Sequence, residues 1–109
     1  MTTTSDTIEF YWRPGCGFCM ALERNLTKIG VPLTRINIWE DPGAAAFVRS
    51  VANGNETVPT VRAGGASLVN PRAHQVVELL AEEAPHLVPE DYTPGPVTRV
   101  LSKITRSAS

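Results

Sequence analysis

The chain holds two cysteines, three positions apart in Pro14-Gly15-Cys16-Gly17-Phe18-Cys19. An apolar stretch, Ile8 to Trp12, runs directly into them, and a helical pattern follows directly after. A C-x-x-C pair at a strand-to-helix junction is the sequence form of a thiol–disulfide exchange site, since two thiols so placed can make and break a bond between themselves. At a helix start, unpaired N–H groups and the positive end of the macrodipole favour a thiolate. In such settings a free thiol, ordinarily near pKa 8.5, can fall to roughly 3.5–7.5. Cys16 is therefore expected to be the reachable nucleophile. Cys19, one turn deeper on nearly the same face, is expected to be shielded and to resolve the mixed disulfide that Cys16 forms. Gly17 and Phe18 leave the backbone between them permissive on one side and covered on the other. Arg13, three residues upstream of Cys16, is either a second positive field or a solvated loop charge.

A second signal lies in Thr57-Val58-Pro59-Thr60-Val61. Proline opening an interior strand is disfavoured unless its missing N–H has a purpose. A cis Val58–Pro59 bond would turn the Val58 N–H and C=O outward, where an extended substrate could pair with them beside the thiols. His74 and His86 read as solvated helix and linker residues. Trp12 and Trp39 read as core or rim packing and not as a binding platform.

The elements that must position these residues follow from periodicity. Ile8 to Trp12 is apolar almost throughout, as a central strand covered on both faces should be. Phe18, Leu22, Leu26 and Ile29 fall at helical spacing, and Gly30 with Val31-Pro32 stops that helix. Leu33 to Ile38 alternates like an edge strand. Asp41-Pro42 supplies an N-cap and a first-turn proline for a helix carrying Ala44, Phe47, Val48 and Val51. Val58 to Arg62 and Ala66 to Val69 form a hairpin across Ala63-Gly64-Gly65. Asn70-Pro71 repeats the cap-plus-proline device ahead of Ala73, Val76, Val77 and Leu80, in a helix running to about Ala84. The order β-α-β-α-β-β-α, with a right-handed first crossover, predicts a four-stranded mixed sheet flanked by three helices, an α/β thioredoxin fold.

Four domain segments are expected: a lead-in over residues 1–7, the folded domain over 8–84, a Pro-rich linker over 85–96 and a short amphipathic helix over 97–106. The linker holds four of the nine prolines, which favours extended chain. Val97, Val100, Leu101 and Ile104 mark the final helix, too short to stand without a docking surface.

At 109 residues the chain has room for one real core. A formal charge of −1 argues against nucleic acid as a partner. No apolar run reaches the roughly 20 residues of a membrane span, so no membrane association is expected. Met1 to Thr7 lacks the basic and apolar regions of a secretory signal, which points to the cytoplasm. A lone C-x-x-C there is more often catalytic or metal-binding than a structural staple. Eight of the ten basic residues are arginine, a bias that accompanies GC-rich genomes.

Cys16-Gly17-Phe18-Cys19, Ala44-Ala45-Ala46-Phe47-Val48, Asn53-Gly54-Asn55-Glu56 with Thr57-Val58-Pro59-Thr60-Val61, and Leu68-Val69-Asn70-Pro71 together resemble the glutaredoxins, and within them the mycoredoxin group of actinobacteria. The resemblance covers about residues 8 to 84. It implies a nucleophile at Cys16, a resolving thiol at Cys19, a cis proline at Pro59, and substrate contacts from Arg13, Gly17, Phe18, Thr57, Val58, Pro59 and Asn70. It implies reduction of protein–mycothiol mixed disulfides, with disulfide-containing or thiol-capped proteins as clients. The low-molecular-weight thiol is then a co-substrate, and neither a resident cofactor nor a metal is expected. Val69-Asn70-Pro71 departs from the Gly-Gly turn and acidic helix start of glutathione-dependent members, and Pro14-Gly15 departs from the Ser-Trp of mycoredoxins. Two rival readings stand beside this one. One is a thioredoxin-like electron donor to a particular client, recycled by a flavoprotein. The other is a [2Fe–2S]-binding glutaredoxin, since glycine after the first cysteine also occurs in that group and thiolates suit such clusters.

Overall fold

A computed structural model describes residues 7–89 of the chain. It contains strand β1 (Ile8–Trp12), helix α1 (Gly17–Ile29), β2 (Leu33–Asn37), α2 (Pro42–Val51), β3 (Thr60–Ala63), β4 (Ala66–Val69) and α3 (Ala73–Glu83). The four strands form one sheet in the order β2-β1-β3-β4. β1 and β2 are parallel, with Ile8 opposite Leu33 and Trp12 opposite Asn37. β3 is antiparallel to β1, with Phe10 opposite Val61, and β4 is antiparallel to β3, with Thr60 opposite Val69. The expected element order and mixed α/β sheet are therefore present.

β1 is apolar because it lies inside the sheet. Ile8, Phe10 and Tyr11 are all buried, and residues alternate between the two faces. The Tyr11 ring lies 5.0 Å from that of Phe47 in α2. On the opposite face Ile8 and Phe10 meet the apolar stripes of the other two helices. Those stripes recur at helical spacing: Cys19, Leu22 and Leu26 in α1, and Val76, Val77 and Leu80 in α3. Burying each large side chain of this set contributes about 1.5–3 kcal/mol. α1 ends at Gly30, whose φ of 105° lets its N–H reach Leu26 O and Thr27 O. A side chain would strain that left-handed position. α2 begins as expected, with Asp41 Oδ1 accepting from Ala44 N–H at 3.1 Å.

Three boundaries differ from expectation. β3 starts at Thr60, because Pro59 has no N–H to give the ladder. Asn70 and Pro71 do not open α3. Asn70 N–H donates to Pro59 O at 2.7 Å, so its backbone still belongs to the hairpin, and its φ of 51° turns the chain away. The N-cap is instead Arg72, whose N–H donates to Gln75 Oε1 at 2.7 Å. Finally, the chain after Ala84 is not extended at once. Pro85–Leu87 forms a single 3₁₀ turn, Leu87 is buried, and Val88 packs against the core. Apolar demand at the end of the core outweighs the local effect of Pro85. The lead-in over residues 1–6, the rest of the expected linker and the helix expected over 97–106 lie outside the described residues.

Leu87→Ala is expected to remove about 2 kcal/mol or more of stability. Chemical denaturation should show this as a lower midpoint with an unchanged slope.

Candidate active site

Parallel pairing carries the C-terminal ends of β1 and β2 to the same edge of the sheet. The start of antiparallel β3 and the end of β4 arrive there too. Cys16, Val58, Asn70 and Trp39 are consequently neighbours in the fold although far apart in sequence.

Cys16 is the N-cap of α1, with extended backbone at φ −95° and ψ 105°. Its sulfur accepts a hydrogen bond from Cys19 N–H at 3.1 Å. It thus takes the place usually held by a serine or aspartate oxygen. The Cys16 thiol donates in turn to Val58 O at 3.7 Å. The Val58–Pro59 peptide is cis. The Val58 carbonyl is directed at Cys16 and not outward to solvent, as had been expected; no hydrogen bond among the described residues engages its N–H. Pro59 is fully buried. Thr57 lies one residue away, half-buried, its carbonyl accepting from Thr60 Oγ1 at 2.8 Å.

The two thiols differ in depth. Cys16 is 7% exposed and Cys19 2%. Burial, followed by the hydrogen bond with Cys16, pushes the Cys19 thiol up to about 12, against an opposing influence from Arg13. A Cβ placed on Gly15 or Gly17 would meet nothing within 4 Å, so the surface on either side of Cys16 is bare. Gly15 also needs its freedom for the turn, at φ 79°.

Two flanks border the sulfur. On one, Phe18 stands 73% exposed at the mouth of an open groove of about 490 Å³. Ala21, Leu22 and Asn25 of α1 line it, facing Asn70, Pro71, Arg72, Ala73 and His74. Asn70 and Phe18 thus border one groove, and the half-buried His74 borders it too. On the other flank, the Arg13 guanidinium lies 5.9 Å from the centre of the Trp39 ring, and Trp39 is 62% exposed. Sequence reasoning assigned Trp39 to packing. The available signal was its position just after a strand parallel to the one that feeds the cysteines.

Comparison with known proteins agrees with this architecture. The glutaredoxin family profile matches residues 8–68, and the chain belongs to that family. A Mycobacterium tuberculosis protein named as a glutaredoxin is 40% identical over 85 residues, covering 77% of this chain and 99% of its own length. Mycoredoxin 1 of Corynebacterium glutamicum is 34% identical over 71 residues, covering 64% of this chain and 87% of its own. Among solved structures, the glutaredoxin-like NrdH-redoxin of Escherichia coli superposes with a TM-score of 0.58 at 32% identity, over 67% of this chain and 93% of that one. The Archaeoglobus fulgidus glutaredoxin gives 0.58 at 22% identity, over 69% and 86%, a likeness of fold. The protein is a thiol–disulfide oxidoreductase of the glutaredoxin type, acting on thiol or disulfide substrates. No helix among the described residues is long and apolar enough to cross a membrane.

The depth difference has a direct readout. Brief iodoacetamide treatment of the reduced protein at pH 7 should label Cys16 and spare Cys19 in peptide mapping, with Cys19 labelled only after denaturation.

Proposed function

We propose that the chain removes mycothiol from protein thiols, with Cys16 as nucleophile and Cys19 as resolving thiol. The observation that carries this reading is the sulfur of Cys16 seated on the helix N-terminus, with a second, more deeply buried thiol one turn behind it. The similarity to Mycoredoxin 1 supports mycothiol as the small thiol.

The Cys16 thiolate attacks the mycothiol sulfur of a protein–S–S–mycothiol disulfide. That S–S bond breaks, the protein leaves as its thiolate and takes up a proton, and a Cys16–mycothiol disulfide forms. Cys19 then loses its proton and attacks Cys16, closing the Cys16–Cys19 disulfide and releasing mycothiol as a thiol. Two molecules of external thiol, oxidised together to their disulfide, supply the two electrons and two protons that restore the dithiol. Alternatively, free mycothiol attacks the Cys16–mycothiol disulfide, which returns Cys16 without the second cysteine. No resident cofactor takes part in either route. Gly17 leaves the approach to Cys16 open, and the unengaged Val58 N–H is placed to pair with the substrate backbone. Phe18 and Asn70 border the small thiol.

Similarity to NrdH-redoxin, described as having a thioredoxin-like activity profile, favours a second reading. In it the chain donates electrons to one protein client and is recycled by a flavoprotein. Recycling assays with mycothiol, with glutathione, and with thioredoxin reductase separate the two.

Cys16→Ser should abolish turnover of a protein–mycothiol disulfide. Cys19→Ser should retain release through free mycothiol and accumulate a Cys16 adduct visible by intact mass. Equal activity of Cys16→Ser and the wild type would overturn the proposal. Because burial keeps Cys19 protonated, disulfide closure should accelerate as pH rises from 7 toward 9. Stopped-flow following of mycothiol release from the Cys16 adduct measures that slope.

A further inference from the structure

We propose that Arg13 and Trp39 form a docking wing for an acidic segment of the client protein, beside the disulfide that Cys16 attacks. This rests on the thiol-exchange reading of Cys16 and names the chemistry of the client.

Three arginines stack on aromatic rings among the described residues. Arg35 lies 4.7 Å from the centre of Trp12 and also pairs with Glu23 at 3.0 Å. Arg62 lies 4.6 Å from the centre of Phe47 and also approaches Glu9 at 3.8 Å. In both, the guanidinium has a ring on one side and a carboxylate of this chain on another. Arg13 has the ring, Trp39, but among the described residues its hydrogen bond is to Pro14 O at 3.3 Å and no carboxylate pairs with it. Of the neighbouring acids, Asp41 is engaged in capping α2, and Glu40 makes no ion pair among the described residues. Arg13 is half-buried, where screening of its charge is weaker than in open water.

The location fits a protein partner. The exposed large apolar side chains among the described residues are Phe18, Met20, Trp39 and Val69. All four belong to the end of the sheet that holds Cys16: two on the first turn of α1, one after β2 and one at the end of β4. Exposed apolar side chains gathered beside a reactive group mark a contact surface. A carboxylate within a residue or two of the client cysteine would complete the Arg13 arrangement, while an adjacent apolar side chain lies on the indole.

The test uses three synthetic peptides whose single cysteine is flanked by glutamate, glutamine or lysine and capped by 2-mercaptoethanol, so that any carboxylate near the cysteine belongs to the peptide. Wild-type kcat/KM should favour the glutamate over the lysine peptide by about tenfold, as two exposed charge interactions permit, and less at high salt. Arg13→Gln should bring the ratio near one, and Arg13→Glu should invert it. Trp39→Ala should raise KM for the glutamate peptide about threefold, with Trp39→Phe restoring it. Equal rates on the three peptides would overturn the wing, provided that wild type reduces bis(2-hydroxyethyl) disulfide. Failure on that small neutral substrate would instead overturn the thiol-exchange reading itself. An Arg13-dependent preference for a small thiol cap bearing a carboxylate, with none for the peptide's acids, would also overturn the docking of a client protein. Circular dichroism of each variant confirms the fold.

Discussion

Strand direction is the constraint on which the site depends. β1 and β2 run parallel through the α1 crossover, and the β3–β4 hairpin returns antiparallel beside β1. Only this combination brings one strand start and three strand ends to a common edge. The loop carrying Cys16, the peptide before Pro59, the turn at Asn70 and the residues after β2 then converge without long excursions. Loops can hold chemistry at this edge because the layers beneath are closely packed. Ile8, Phe10 and Val61 of the strands and Leu26, Val76 and Leu80 of the helices, all fully buried, hold sheet and helices together beneath the site.

Much of this was legible from residue order. The central strand announced itself by continuous apolarity, and α1 by the spacing of Leu22 and Leu26. The cysteine pair at their junction gave the chemistry. What escaped reading depended on competition between local and distant demands. Asn70-Pro71 has the composition of a helix cap, yet the hairpin ladder claimed Asn70 N–H. Pro85 has the composition of a linker, yet the core claimed Leu87 two positions later. Neither outcome follows from a window of a few residues. The orientation of the Val58 carbonyl toward sulfur was equally hidden, since it is set by where β1 delivers Cys16.

Trp39 illustrates a different blind spot. Large aromatic residues are ordinarily assigned to the interior, and Phe10 and Tyr11 obey, both being buried. Trp39 does not, because its backbone N–H is tied to Asn37 Oδ1 at 2.9 Å in the turn after β2, beyond the reach of the sheet face. Its ring is left 62% exposed, with the Arg13 guanidinium over it. Fold and cysteine chemistry follow from patterns shared by the family. Selectivity depends on which side chains ring the sulfur.

The cap on α1 ties helix stability to electron transfer. The Cys16 sulfur that accepts the Cys19 N–H is the same atom that must bond covalently to Cys19 when the pair is oxidised. Folding and oxidation therefore form a closed thermodynamic cycle. Whatever the N-terminus of α1 gains from the reduced sulfur, beyond what it gains from the disulfide, is subtracted from the driving force for giving electrons away. The residues that tune the first turn of α1 are thus also the residues that set how strong a reductant the protein is.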